Sequence, residues 1–138
     1  MKPIPFDAEN DLLPIPFHED HLHLARKMKK SGLRWKPHVG CFVWDPERFI
    51  EAESPFPLRV YFILSMPRFI RIFGSPEKVA EKLVWLPTWH QARLIASNFE
   101  VDHTRIAGLF FTQSFPAPGD ELSGIYRLIL DKLRSGSG

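Results

Sequence analysis

One cysteine, Cys41, is all that the 138 residues hold. A single thiol excludes an internal disulfide framework and every zinc site that draws two or more thiolates from one chain. No apolar run approaches the eighteen or so residues of a membrane-crossing helix, and the opening MKPIPFDAENDLL lacks the basic start and apolar stretch of a secretory signal. The expectation is a cytoplasmic protein with no membrane partner. Recognisable catalytic motifs are equally scarce. The chain has no G-x-S-x-G elbow, no phosphate-binding G-x-x-x-x-G-K-[ST], no G-x-G-x-x-G and no HExxH. Acids are missing altogether from His21 to Trp44, a stretch that carries Arg26, Lys27, Lys29, Lys30, Arg34 and Lys36. The first twenty residues reverse the sign, with Asp7, Glu9, Asp11, Glu19 and Asp20 against Lys2 alone. A net charge of +2 therefore averages an acidic arm and a basic segment.

Proline is what the N-terminus has in plenty. The tetrapeptide Pro-Ile-Pro-Phe occurs at Pro3–Phe6 and again at Pro14–Phe17. Each proline fixes its own φ and biases the preceding residue towards extended geometry, so residues 1–17 read as an extended arm and not as a helix. Ile4, Phe6, Ile15 and Phe17 are too apolar for a solvated tail. They serve either as staples on the chain's own body or as anchors that dock a partner protein.

Behind the arm, residues 18–134 read as one globular domain, and 44% hydrophobic residues suffice for its core. Residues 135–138, Ser-Gly-Ser-Gly, have the composition of a flexible tail. From Glu19 to Ser31 the acids come first, the bases last and Gly32 follows, which predicts a helix with a thin apolar stripe of Leu24 and Met28, joined by Ala25 and His21. HVGCFVW (38–44) and RVYFIL (59–64) are β-rich and predict an antiparallel pair, joined by a loop whose Ser54-Pro55-Phe56-Pro57 is ordered by packing. SMPRFIRIFGS predicts a short helix capped by Ser65 and ended by Gly74. Ser75-Pro76-Glu77 starts another, expected over 76–86. A further helix over 88–99 continues a stripe of Trp85, Trp89, Ala92, Ala96 and Phe99. RIAGLFFTQSF (105–115) fits either a third strand or a buried helix turn, with its two phenylalanines and Thr112 favouring the strand, and 120–133 reads as a helix with Leu122, Ile125, Tyr126, Ile129, Leu130 and Leu133 on one face. The expected fold is α+β: a small antiparallel sheet of two or three strands covered by three to five helices.

Three function classes remain. The leading one is a non-enzymatic binding or regulatory protein acting through protein–protein contact, with no cofactor, using Ile4, Phe6, Ile15 and Phe17 and an aromatic surface. Self-association through the C-terminal helix is compatible with it. The second is nucleic-acid binding through Arg26, Lys27, Lys29, Lys30, Arg34, Trp35 and Lys36, where cations meet phosphates and an indole meets bases. The third is an enzyme or metal site centred on His18, His21 and His90. In FHEDHLH, His18 and His21 share a helical face while His23 points away, so a metal there needs a distant ligand such as His38, His90 or His103. Cys41, inside an apolar run, reads as an inert buried thiol.

Overall fold

The structure is a computed structural model that describes residues 7, 9–12, 15–101, 104 and 119–136. Among these, five α-helices and three short strands make an α+β fold. None of the helices is long and apolar enough to cross a membrane.

α1 (Glu19–Lys30) begins with Glu19 and Asp20 and ends with Lys27, Lys29 and Lys30, each set favourably placed in the helix dipole. β1 (Phe42–Trp44) is the middle strand, with β2 (Val60–Phe62) and β3 (Val84–Leu86) antiparallel on its two sides. A one-turn 3₁₀ segment, Pro57–Arg59, leads into β2. α2 (Met66–Phe73) starts at Ser65 and stops at Gly74, whose φ of 104° is easy only for glycine. α3 (Pro76–Lys82) starts at Ser75, which accepts a hydrogen bond from the Lys78 N–H. α4 (Trp89–Asn98) is capped by a reciprocal Thr88–Gln91 pair. α5 (Asp120–Gly136) packs against α1 and α4 and extends beyond its expected end at 133.

The expected helix over 76–86 is corrected, because it ends at Lys82 and Val84–Leu86 is a strand. The spacing of Val79, Leu83 and Leu86 fits a helix. Yet β1 has a second edge to satisfy, and Val84, Trp85 and Leu86 are apolar on both sides, as a strand covered on both faces must be. Trp85 consequently leaves the α4 stripe, and Trp89 is half-exposed; Ala92 and Ala96 hold that stripe in the core. The expected strand 105–115 lies outside the described residues.

Period-two alternation sends the side chains of the sheet into two separate cores. Val60, Val84 and Leu86, with Phe42 and Trp44, face α1, α4 and α5 and join Leu22, Leu24, Met28, Ile125, Tyr126 and Ile129. Val43 and Tyr61, with Trp85, face α2 and α3 and join Cys41, Ile50, Ile63, Phe69, Val79 and Leu83. The sheet is thus the middle of three layers. A polar clamp sits at its lower edge. Asp45, 0% exposed, accepts from the N–H groups of Phe49 (3.0 Å) and Ile50 (2.8 Å) and from the Arg59 guanidinium (2.8 Å). Arg59 also donates to the carbonyls of Asp45 and Ile50. Leu58 and Arg59 both take left-handed φ values, 62° and 60°, a costly conformation for residues with a Cβ that this clamp holds in place.

Candidate functional site

Residues 15–17 of the second Pro-Ile-Pro-Phe are part of the domain. Phe17, 1% exposed, meets the Phe42 ring at 5.3 Å and the His21 ring at 6.1 Å, and Ile15 lies in the same core. Of their two expected roles, staple and partner anchor, the enclosure of both side chains by their own body fits the staple. Upstream, Asp7 collects the chain into a turn, its carbonyl accepting from the N–H of Asp11 at 2.8 Å. Ile4 and Phe6 lie outside the described residues.

Among the described residues the histidines do not assemble a metal site. His21 is buried, and both its nitrogens are engaged: Nδ1 accepts from the His18 N–H at 3.2 Å and Nε2 donates to the Gly119 carbonyl at 3.0 Å. That pattern fits one neutral tautomer, and burial together with neighbouring His18 holds its pKa below the ordinary value. Gly119 sits tightly here, since a Cβ on it would come within 3.1 Å of the His21 ring. His18 stacks edge-on against His21 at 4.2 Å, and His90 is exposed on α4. Among the described residues no three histidines, cysteines or carboxylates cluster as metal ligands would. His103 lies outside them. His38 donates from Nδ1 to the Val39 carbonyl, which leaves Nε2 to accept from the Cys41 thiol at 3.5 Å. Cys41 is fully buried, and burial pushes its pKa up, so the sulfur is a protonated thiol closed off from solvent.

The basic segment is divided between structure and surface. The Arg26 guanidinium lies over the Trp44 ring at 4.6 Å. Lys29 reaches across to α3 and donates to the carbonyls of Glu81 and Leu83, the orphan acceptors at that helix end, and burial lowers its pKa. Trp35 stacks on Trp85, nearly parallel at 5.7 Å. Lys27, Lys30, Arg34 and Lys36 remain exposed. Arg34, Trp35 and Lys36 line a groove of about 620 Å³, but its other wall brings Glu77 and Glu81. The C-terminal helix, expected as a self-association surface, has its apolar face enclosed in the chain's own core.

The surface that sequence reasoning missed lies on the other side of the sheet. Between the strap 50–53 and α2 runs a groove of about 410 Å³, lined by Ile50, Tyr61, Phe69, Leu64 and Ile72 among others, with Arg68, Arg71 and Glu53 at its rim. Leu64 is 75% exposed and Ile72 49%. Tyr61 holds the strap by donating its hydroxyl to the Ala52 carbonyl at 2.6 Å. Arg68 and Arg71 are exposed and have no carboxylate within ion-pair distance among the described residues. In MPRFIRIF the spacing lets either Ile72 or Phe73 join Phe69 inside; Phe73 packs on the core, and Ile72 is left exposed beside the arginines. Comparison with protein families, with curated proteins and with solved structures finds no match.

Proposed function

We propose that this chain is a non-enzymatic binding protein that acts through protein–protein contact, and that its contact surface is the groove between residues 50–53 and α2. The observation that carries this reading is the exposure of Leu64 and Ile72 on the walls of a groove with an apolar floor. A large aliphatic side chain left in water beside other apolar surface marks a place where something else is buried. Aromatic residues in the floor and arginines at the rim are the residue types that anchor such contacts. The earlier emphasis on the arm moves to this surface, since Ile15 and Phe17 are enclosed.

The test replaces Leu64 and Ile72 together by serine. Neither side chain is in the core, so the variant is expected to unfold at nearly the same denaturant midpoint as the original chain. Proteins recovered from source cytosol by the original chain are expected to be lost. Equal recovery by both chains refutes the contact surface.

A second reading, binding of nucleic acid, has one observation in its favour: Arg34 and Lys36 flank Trp35 along one wall of the 620 Å³ groove. It predicts an affinity for single-stranded nucleic acid that falls steeply with added salt. Glu77 and Glu81 on the facing wall weigh against it.

A further inference from the structure

Resting on the contact reading above, we propose that the partner docks as an extended peptide segment that adds a strand to the free edge of β2, with aliphatic side chains entering the groove and a carboxylate meeting Arg68 and Arg71. Among the described residues β2 is an edge strand, with β1 on one side only. The hydrogen bonds from Ile63 N–H to Cys41 O and from Asp45 N–H to Arg59 O bracket its pairing, so odd-numbered residues of β2 turn their peptide groups towards β1. Val60 and Phe62 therefore turn theirs outward. The Val60 carbonyl already accepts from the Ser54 hydroxyl. Phe62 has no such partner among the described residues, and it lies along the groove beside Leu64.

Several features combine at this one edge. An incoming strand satisfies the Phe62 N–H and C=O, whereas a helix laid over the same place covers them and leaves them unpaired. Along an extended peptide every second side chain points to the same face, so alternate residues reach the apolar floor of Tyr61, Phe69 and Ile72. Rim charge then selects the partner. Among the described residues the two arginines have no ion-pair partner and Glu53 is the one acid lining the groove, which favours a carboxylate on the α2 side.

Selection of a random twelve-residue peptide library on the full chain tests this directly. Expected is an enriched family with aliphatic residues at alternating positions and at least one Asp or Glu. A synthetic member, followed by fluorescence polarisation, is expected to lose affinity by at least about tenfold when the alternate amides of one register are N-methylated, and to keep it when the other register is methylated. Arg68→Glu with Arg71→Glu, both exposed positions, is expected to cost a comparable factor, while Arg34→Glu leaves binding unchanged. Helical spacing in the enriched family, indifference to N-methylation, absence of enrichment, or a dimer of this chain that closes the same edge would each overturn the proposal. If Leu64→Ser with Ile72→Ser still abolishes recovery of a protein partner, only strand docking has failed. If recovery is also unaffected, the contact reading falls with it.

Discussion

Among the described residues, seventeen buried ones close the α1–α4–α5 face of the sheet, whereas eight close the α2–α3 face. The larger side has long helices and encloses even Ile15 and Phe17 ahead of α1. The smaller side has two helices of eight and seven residues, a strap held by side-chain hydrogen bonds, and the polar clamp of Asp45 and Arg59. It also tolerates loose ends. The stacked Trp35 and Trp85 enclose two indole N–H groups that have no hydrogen-bond partner among the described residues, and Leu64 and Ile72 stand in water. A face that apolar burial closes completely has little left to offer a partner, and a face organised by polar clamps leaves apolar surface exposed. Binding sites are drawn from the second kind.

If that contrast is right, the largest loss of stability comes from the closed face. Phe17→Ala removes a side chain enclosed by Phe42, His21 and the core around them, and is expected to cost about 3–5 kcal/mol in urea unfolding. A cost under about 1 kcal/mol would show that residues 15–17 lie outside the cooperative unit. On the open face the sensitive position is polar. Asp45→Ala leaves Arg59 and the N–H groups of Phe49 and Ile50 without their acceptor, with an expected cost of about 2–3 kcal/mol. An innocuous Asp45→Ala would break the comparison, since the α2–α3 side would then be held by its apolar residues alone.

The pH dependence of stability sharpens the comparison further. His21 is held neutral on the closed face, with His18, Asp20 and Arg127 as the titratable and charged groups around it and a pKa below the ordinary value of about 6.5. As pH falls, the unfolded chain takes up this proton first. The contribution of His21 is therefore complete above about pH 6.5 and declines as pH falls from there towards the folded value. Urea midpoints measured from pH 7.5 to 5 should fall in the original chain and fall less in His21→Gln. The smallest effect belongs to Leu64→Ser with Ile72→Ser, expected within about 0.5 kcal/mol of the original, since these positions carry contact and not stability.

Much of this architecture is readable along the chain, for local reasons. Glu19, Asp20, the lysines of 27–30 and Gly32 mark α1; Ser65 with Gly74 brackets α2; and the β-branched and aromatic content of 42–44 and 60–62 marks the pair of strands. Failures arise where a distant partner decides. Val84–Leu86 is strand because β1 needs a second neighbour, and nothing within 76–86 states that need. The clamp joins residues fourteen apart, and an Asp-Pro step before a loop looks like an ordinary turn. His21 reads as one of three histidines until Gly119, ninety-eight residues away, takes its Nε2 proton in a hydrogen bond. The groove was hidden for a related reason: the exposure of Ile72 depends on which residues lie opposite α2, and periodicity within eight residues does not report that.

That same link between α1 and the start of α5 has a consequence for synthesis. α1 emerges from the ribosome before α5, and the side chains that cover it, Ile125, Tyr126 and Ile129, are made about a hundred residues later. At roughly 5–20 residues per second, Leu22, Leu24 and Met28 wait on the order of 5–20 s for their cover. During that interval the nascent chain presents a short apolar stripe next to a run of lysines and arginines, the kind of surface that chaperones at the ribosome are placed to meet.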